Sequence, residues 1–213
     1  MNALVEVTAA SRTHGTVQVL APTSLCLGAG QGAAVVGANG AGKSTLLRLV
    51  AGTDTPTAGT VTVLGLAAVD ARLRRRTQVS RLLGAAPTYP DLTVAEHLRL
   101  VEVAWGGHHP GPGVDEALAG AHLERVRDQY PGELSSGESQ LFALALTLYR
   151  PAALVLLDEP EQRLDAVWRD VARRLVLAAL DRGRTVLAAT HDPGLRDALA
   201  DRGPVVELAA PAR

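Results

Sequence analysis

Lysine is nearly missing from this chain: of 21 basic residues, every one except Lys43 is arginine. Arginine carries a wide planar fork and lysine a compact ammonium on a flexible stem, so the lysine that is kept marks a place where a fork does not fit. Cysteine is equally scarce. Cys26 stands alone, which excludes an intrachain disulfide and fits a reducing compartment. Aromatics make up 3% of residues, and Trp105 and Trp168 read as packing groups. There is no long apolar run: the richest, Phe142 to Leu157, is broken by Tyr149-Arg150-Pro151 and is too short to span a bilayer. The first residues, MNALVEVTAASRTHG, have neither the basic nor the apolar region of a secretory leader. If the protein works at a membrane, another polypeptide has to cross it. Nor is there an excess of charge. A formal net charge of -1 gives no electrostatic reason for a nucleic-acid partner, and none is expected.

What remains is a globular composition, 47% apolar and 20% charged, in 213 residues, a length that suits one compact domain. Leu4–Val7, Val17–Leu20 and Ser24–Leu27 read as short strands between turn residues. Ala33–Val36 reads as a buried strand entering a glycine-rich loop, followed by a helix from Ser44 to Ala51 that stops at Gly52. Gly59 to Gly65 alternates like a strand. Residues 91–149 read as mainly helical, interrupted by a loop from Gly106 to Gly113. Ala153–Leu157 and Thr185–Ala189 are apolar runs of strand length, as in parallel strands covered on both faces. Between them, Asp165–Asp181 places Val167, Val171, Leu175 and Ala178 on one helical face, and strand–helix–strand implies a right-handed crossover. The fold class is α/β: a mainly parallel sheet in the core, a β-rich N-terminal part and an inserted helical part.

Gly37-Ala38-Asn39-Gly40-Ala41-Gly42-Lys43-Ser44 fits G-x-x-x-x-G-K-[ST] between a strand and a helix. The glycines let successive N–H groups point inward at phosphate oxygens, and the helix start adds the positive end of its dipole. Lys43 would reach the terminal phosphates, and the Ser44 hydroxyl would ligate Mg2+. Leu154 to Asp158-Glu159 is an apolar strand ending in two carboxylates. Alone, such a pair is usually a solvated turn. Beside a phosphate loop, Asp158 would hold the Mg2+ shell and Glu159 would polarise the attacking water.

Leu134-Ser135-Ser136-Gly137-Glu138, followed by a helix and the strand to Asp158-Glu159-Pro160, resembles the LSGGQ signature of ATP-binding-cassette (ABC) ATPases. The resemblance covers essentially the whole chain. Gly59-Thr60-Val61 and Pro90 to Leu98 are similar to two further family landmarks, Leu164-Asp165 to the D-loop, and Thr190-His191-Asp192 to the switch-histidine loop. It implies a single ABC ATPase domain over 1–213, with a P-loop core and antiparallel β subdomain over about 1–83 and 150–213 and a helical subdomain over about 84–149. It also implies a sandwich of two protomers around two ATP molecules with Mg2+, and a separate integral membrane permease that keeps the subunit on the inner face of the cell membrane. In that sandwich, Gly37, Asn39, Gly40, Ala41, Gly42, Lys43, Ser44 and Thr45 cradle the phosphates, with Ser44 and Asp158 on the metal. Ser135, Gly137 and Glu138 come from the partner protomer, and His191 joins Glu159 and Lys43 at the γ-phosphate.

Three positions depart from the family pattern. Ser136 replaces a glycine of the signature. His14 stands where an aromatic stacks on adenine, offering less area. Leu83-Gly84-Ala85-Ala86-Pro87 lacks the glutamine expected to touch Mg2+ and the membrane partner, and Gln78 lies before that strand. These departures suit a second reading, a catalytically weak ATP-binding module in a heterodimer. A non-transport ABC ATPase is a third, although tandem cassettes, zinc-binding insertions and long coiled coils are lacking. His108-His109 reads as loop rather than metal site, and Arg72, Arg74, Arg75 and Arg76 as a solvated face.

Overall fold

A computed structural model describes residues 3–105 and 111–209. The chain opens with two long antiparallel strands, β1 (Ala3–His14) and β2 (Val17–Gly28), each of 12 residues. With β4 (Ala58–Val63) and β5 (Leu66–Ala67) they form a sheet in the order β2-β1-β4-β5. The sequence reading ended the first strand at Val7 and divided the second between Leu20 and Ser24. A bulge explains the first error. The register shifts between Val7 and Ala10, where Ala9 takes φ 45° and donates its N–H to Ser24 Oγ at 2.9 Å, so the alternation of apolar residues is lost while the strand continues. Pro22 explains the second: β2 is an edge strand, where a residue without an N–H is tolerated.

The second sheet holds β3 (Gly32–Val36), β6 (Val79–Leu82), β7 (Leu154–Asp158), β8 (Thr185–Ala189) and β9 (Val205–Glu207) in the order β6-β7-β8-β3-β9, all parallel. Its strands divide the core in two. Ala33, Val35, Leu154, Leu156, Leu187 and Ala189 face one cluster, shared with the antiparallel sheet and α1 (Lys43–Val50). Their neighbours Ala34, Val155, Leu157, Val186 and Ala188 face the other. That second cluster takes in α3 (Val94–Ala104), α4 (Val114–Gly120), α5 (Ser136–Tyr149), α6 (Ala166–Asp181) and α7 (Pro193–Ala200). A period of two with both faces apolar is why these strands read as continuous runs. Each buried Leu or Val contributes roughly 1.5–3 kcal/mol.

The helical face expected for α6 is rotated. Val167 is 70% exposed, and the buried stripe is Val171, Ala172, Val176, Ala179 and Leu180. Asp165 caps the helix through Trp168 N–H, so the boundary was right and the phase was not. Trp105 and Trp168 both pack against the core. α2 (Ala68–Arg74), α7 and β9 were not anticipated. His108-His109 lies outside the described residues.

Candidate functional site

In the parallel sheet β8 lies between β3 and β7, so three strand C-termini sit side by side. The loop to α1 leaves β3, Asp158-Glu159 ends β7, and Thr190-His191 follows β8. Ligands of open α/β sheets bind outside such carboxyl ends.

The loop from 37 to 42 depends on glycine where it passes other backbone. At Gly42 (φ 99°) a Cβ would lie 2.6 Å from Val19 O, and at Gly37 (φ 149°) 2.7 Å from Leu208 O. Gly42 is also the N-cap of α1 and offers no side-chain acceptor, which leaves the helix's first N–H groups to an external anion. Lys43 is 6% exposed and donates Nζ to Gly37 O at 3.0 Å and Ala38 O at 3.3 Å, curled back over its own loop. A cavity of about 450 Å³ is bounded by Val19, Asn39, Gly40, Gly42, Lys43, Ser44, Thr45 and Glu159. Of the expected cradle, Ala41 is instead buried in the core and Gly37 borders a neighbouring cavity with Thr190 and His191.

Asp158 Oδ1 is buried without a hydrogen-bond partner. A carboxylate oxygen in that condition, together with the Ser44 hydroxyl at the cavity, is a hard oxygen donor set that fits Mg2+. Glu159 takes φ 49°, a region that costs a non-glycine residue energy and persists only where its surroundings impose it. Here they do. Glu159 N–H donates to Ala189 O at 2.9 Å, and the Gln140 amide donates to Glu159 O at 3.4 Å and Pro160 O at 3.1 Å. Glu159 Oε2 accepts from the Gln162 amide at 3.2 Å, and Oε1 lies 3.3 Å from His191 Nε2. Gln140, Glu161 and Gln162 were not foreseen. The spacing of Gln162 three residues after Glu159 was the available signal; Gln140 reaches the site only through the packing of α5.

Other expected residues stand apart. Ser135 caps α5 in a reciprocal box: Ser135 N–H donates to Glu138 Oε2 at 2.8 Å, and Glu138 N–H donates to Ser135 Oγ at 3.3 Å. Ser135, Gly137 and Glu138 do not border the cavity that contains Lys43. His14 is exposed, pairs with Val17 across the hairpin, and does not line that cavity, where Val19 does. Gln78 precedes β6 and its carbonyl accepts from Ala153 and Leu154 N–H, at the end of the sheet opposite the site. Gly84, Ala85 and Ala86 instead border a smaller cavity with Ser136, Gln140 and Arg163.

The arginine run is exposed, as expected of a solvated face, and two of its members border a cleft. Arg72, Arg76, Arg81 and Arg150 line one cleft of about 410 Å³ whose apolar walls include Val50, Val63, Ala68 and Ala71. Among the described residues none of the four has a carboxylate partner. Burial, and then the like charge of Arg81, lower the pKa of Arg150.

A family model described as ABC transporter matches residues 20–162. The chain is 38% identical over 203 residues to the "Aliphatic sulfonates import ATP-binding protein SsuB" of Escherichia coli (strain K12), covering 93% of this chain and 75% of that protein. "Aliphatic sulfonates import ATP-binding protein SsuB 3" of Pseudomonas syringae pv. tomato is 38% identical over 199 residues, covering 92% and 70%. Among solved structures, the ATP-binding subunit of an ABC transporter matches with a TM-score of 0.81 at 25% identity, over 97% of this chain and 86% of that one. A dimeric ATP-binding cassette in a post-hydrolysis state bound to ADP and Pi matches at 0.80 and 24% identity, over 97% and 94%.

Proposed function

Since this chain belongs to the ABC transporter family as one of its ATP-binding, ATP-hydrolysing subunits, we propose that two copies close head to tail around two Mg-ATP and drive a separate membrane permease. In this reading Lys43 and the amides of the loop and first turn of α1 hold the phosphates, while Ser44 and Asp158 hold Mg2+. Mg2+ held by those two residues would supply positive charge against the charge that develops on the phosphates. Glu159 polarises the attacking water, and His191 contacts the γ-phosphate from the neighbouring strand end. The chain acts as one ATPase unit, with its helical part over about 84–149 inserted into the core.

The observation that carries this reading is a division of labour. The loop before α1 and the Ser135–Gly137 helix start each present N–H groups that suit an anion, yet within one chain they do not share a cavity. A second copy supplies what the first lacks. The likeness to sulfonate importers supports import, with an alkanesulfonate as the first cargo to test. The arginine-lined cleft supports an acidic segment of the permease as its neighbour. No helix among the described residues is long and apolar enough to cross a membrane, and the place assigned is the inner face of the membrane, through that permease. The second reading, a catalytically weak partner in a heterodimer, is favoured by the exposed His14 and by the loop at Gly84–Ala86.

Glu159→Gln tests the assignment. It keeps size and hydrogen bonding but cannot accept a proton, so kcat should fall by about 10²–10⁴. The variant should sediment as a dimer in Mg-ATP, and adding Ser135→Ala or Gly137→Asp should abolish that dimer. Hydrolysis at the wild-type rate by Glu159→Gln would remove Glu159 from the chemistry.

A further inference from the structure

Glu161 is 7% exposed, in a chain whose carboxylates lie mostly at the surface. A single oxygen, Oε1, accepts three hydrogen bonds: from Thr190 Oγ1 at 2.7 Å, His191 N–H at 2.7 Å and Asp192 N–H at 3.2 Å. Asp192 N–H is shared with Thr190 Oγ1 at 3.0 Å. The other oxygen, Oε2, is buried without a partner. A buried carboxylate costs several kcal/mol of desolvation, so a side chain needed only to fill space would be more stable as an apolar one.

The position of Glu161 shows what it can do. It lies in the turn that begins at Glu159, where Gln162 N–H donates to Glu159 O and Leu164 N–H to Glu161 O. The turn that carries Glu159 therefore also carries the acceptor for the backbone of His191. The β7–β8 pairing ends at Asp158 and Ala189 and is extended by Glu159 N–H to Ala189 O, while Thr190 N–H to Val35 O extends the pairing of β8 with β3. Beyond them, the N–H groups of His191 and Asp192 depend on Glu161 and on the Thr190 hydroxyl that Glu161 also holds.

We propose that Glu161 is a positioning residue that ties the backbone of residues 190–192 to the Glu159 turn, so that the His191 imidazole and the Glu159 carboxylate keep their 3.3 Å approach during turnover. It acts through His191 and touches no nucleotide. The proposal rests on the reading of Glu159 and His191 as the pair at the γ-phosphate. Glu161→Gln keeps an acceptor at Oε1 and replaces the unpartnered oxygen by an amide. Glu161→Leu removes the acceptor and strands the Thr190 hydroxyl and His191 N–H, leaving Asp192 N–H to Thr190 Oγ1 alone. Thr190→Val removes one donor and the shared bond to Asp192 with little change of shape.

ATP hydrolysis by the full chain, with nucleotide affinity measured separately, tests this. Misplacing a reacting group by about an ångström costs up to ~10²-fold. Glu161→Leu should therefore lower kcat by about 10–100-fold while KM and ATP affinity stay within about twofold of wild type. Thr190→Val should show a smaller loss of the same kind, and Glu161→Gln should retain most activity. Glu161→Leu combined with His191→Ala should be no slower than His191→Ala alone, because the two act as one unit. If Glu161→Leu does not fold, Thr190→Val against Glu161→Gln still decides the matter. A kcat equal to wild type in Thr190→Val and Glu161→Leu, with only the melting temperature lowered, would overturn the clamp while leaving His191 in place. Wild-type kcat in His191→Ala would overturn the underlying pair instead.

Discussion

At Lys43 the side chain turns back on the loop that precedes it, its ammonium held by the carbonyls of Gly37 and Ala38. A compact ammonium on a flexible stem suits that curl better than a wide planar guanidinium, which fits the retention of lysine at this position. The scarcity of lysine makes a clean experiment. Amine-reactive reagents have only Lys43 and the N-terminal amine to modify. Lys43, 6% exposed, should react more slowly than the terminus and be protected further by Mg-ATP, while labelling of the terminus stays unchanged. Peptide mapping that finds Lys43 equally labelled with and without nucleotide would remove it from the phosphate site. Lys43→Arg should weaken ATP binding by tenfold or more, since a charged hydrogen bond is worth about 1.5–3 kcal/mol. Equilibrium binding of a fluorescent ATP analogue reads that change directly.

Among the elements, α3 shows how a residue without an evident role can hold a loop. His97 is 2% exposed; its Nδ1 lies 2.7 Å from Thr93 O and its Nε2 accepts from Tyr89 N–H at 2.9 Å. Its ring also meets Phe142 edge-on at 5.2 Å, fastening the segment before α3 to α5. His97→Ala should cost about 1–3 kcal/mol, the penalty of a stranded buried polar group, and should expose the segment from 84 to 92 to protease. An unchanged urea midpoint would show that other contacts suffice. Tertiary demands of this kind were what the sequence could not display. β7 and β8 were legible because both faces are buried and the apolar runs are continuous. β1 was not, since its bulge at Ala9 breaks the alternation. The helix α7 was missed because Pro193-Gly194 reads as a turn, whereas Pro193 occupies the first helical turn behind an Asp192 cap. The placement of the loop 37–42 before α1 and of Asp158-Glu159 at the end of β7 was legible because each is contiguous in the chain. Gln140 and Glu161 make their hydrogen bonds to residues 159–160 and 190–192 from elements whose approach only packing decides.

For the whole molecule, the decisive question is whether one chain contains a complete site. Ser135 does not border the cavity that Lys43 lines, and the head-to-tail pairing proposed above would put one of each into both composite sites of a two-fold dimer. That geometry makes an unequal prediction for mixtures. On a Glu159→Gln background, which should hold ATP without cleaving it, Lys43→Ala alone and Ser135→Ala alone should each fail to retain nucleotide, because every site carries one defect. Mixed together, the two variants form heterodimers in which one site has both defects and the other has neither, so nucleotide should be retained. A second mixture carries the same substitutions arranged differently: the double variant Lys43→Ala/Ser135→Ala with an otherwise intact partner. There each site carries one defect, and retention should be lost in the heterodimer. Both mixtures contain the same side chains in the same amounts, so stability, charge and concentration cancel between them. The intact partner can still pair with itself, so the heterodimer has to be isolated with a tag on one partner before bound nucleotide is counted. If the two heterodimers retain ATP equally, Lys43 and Ser135 do not meet across an interface, and the phosphates must be held within a single chain.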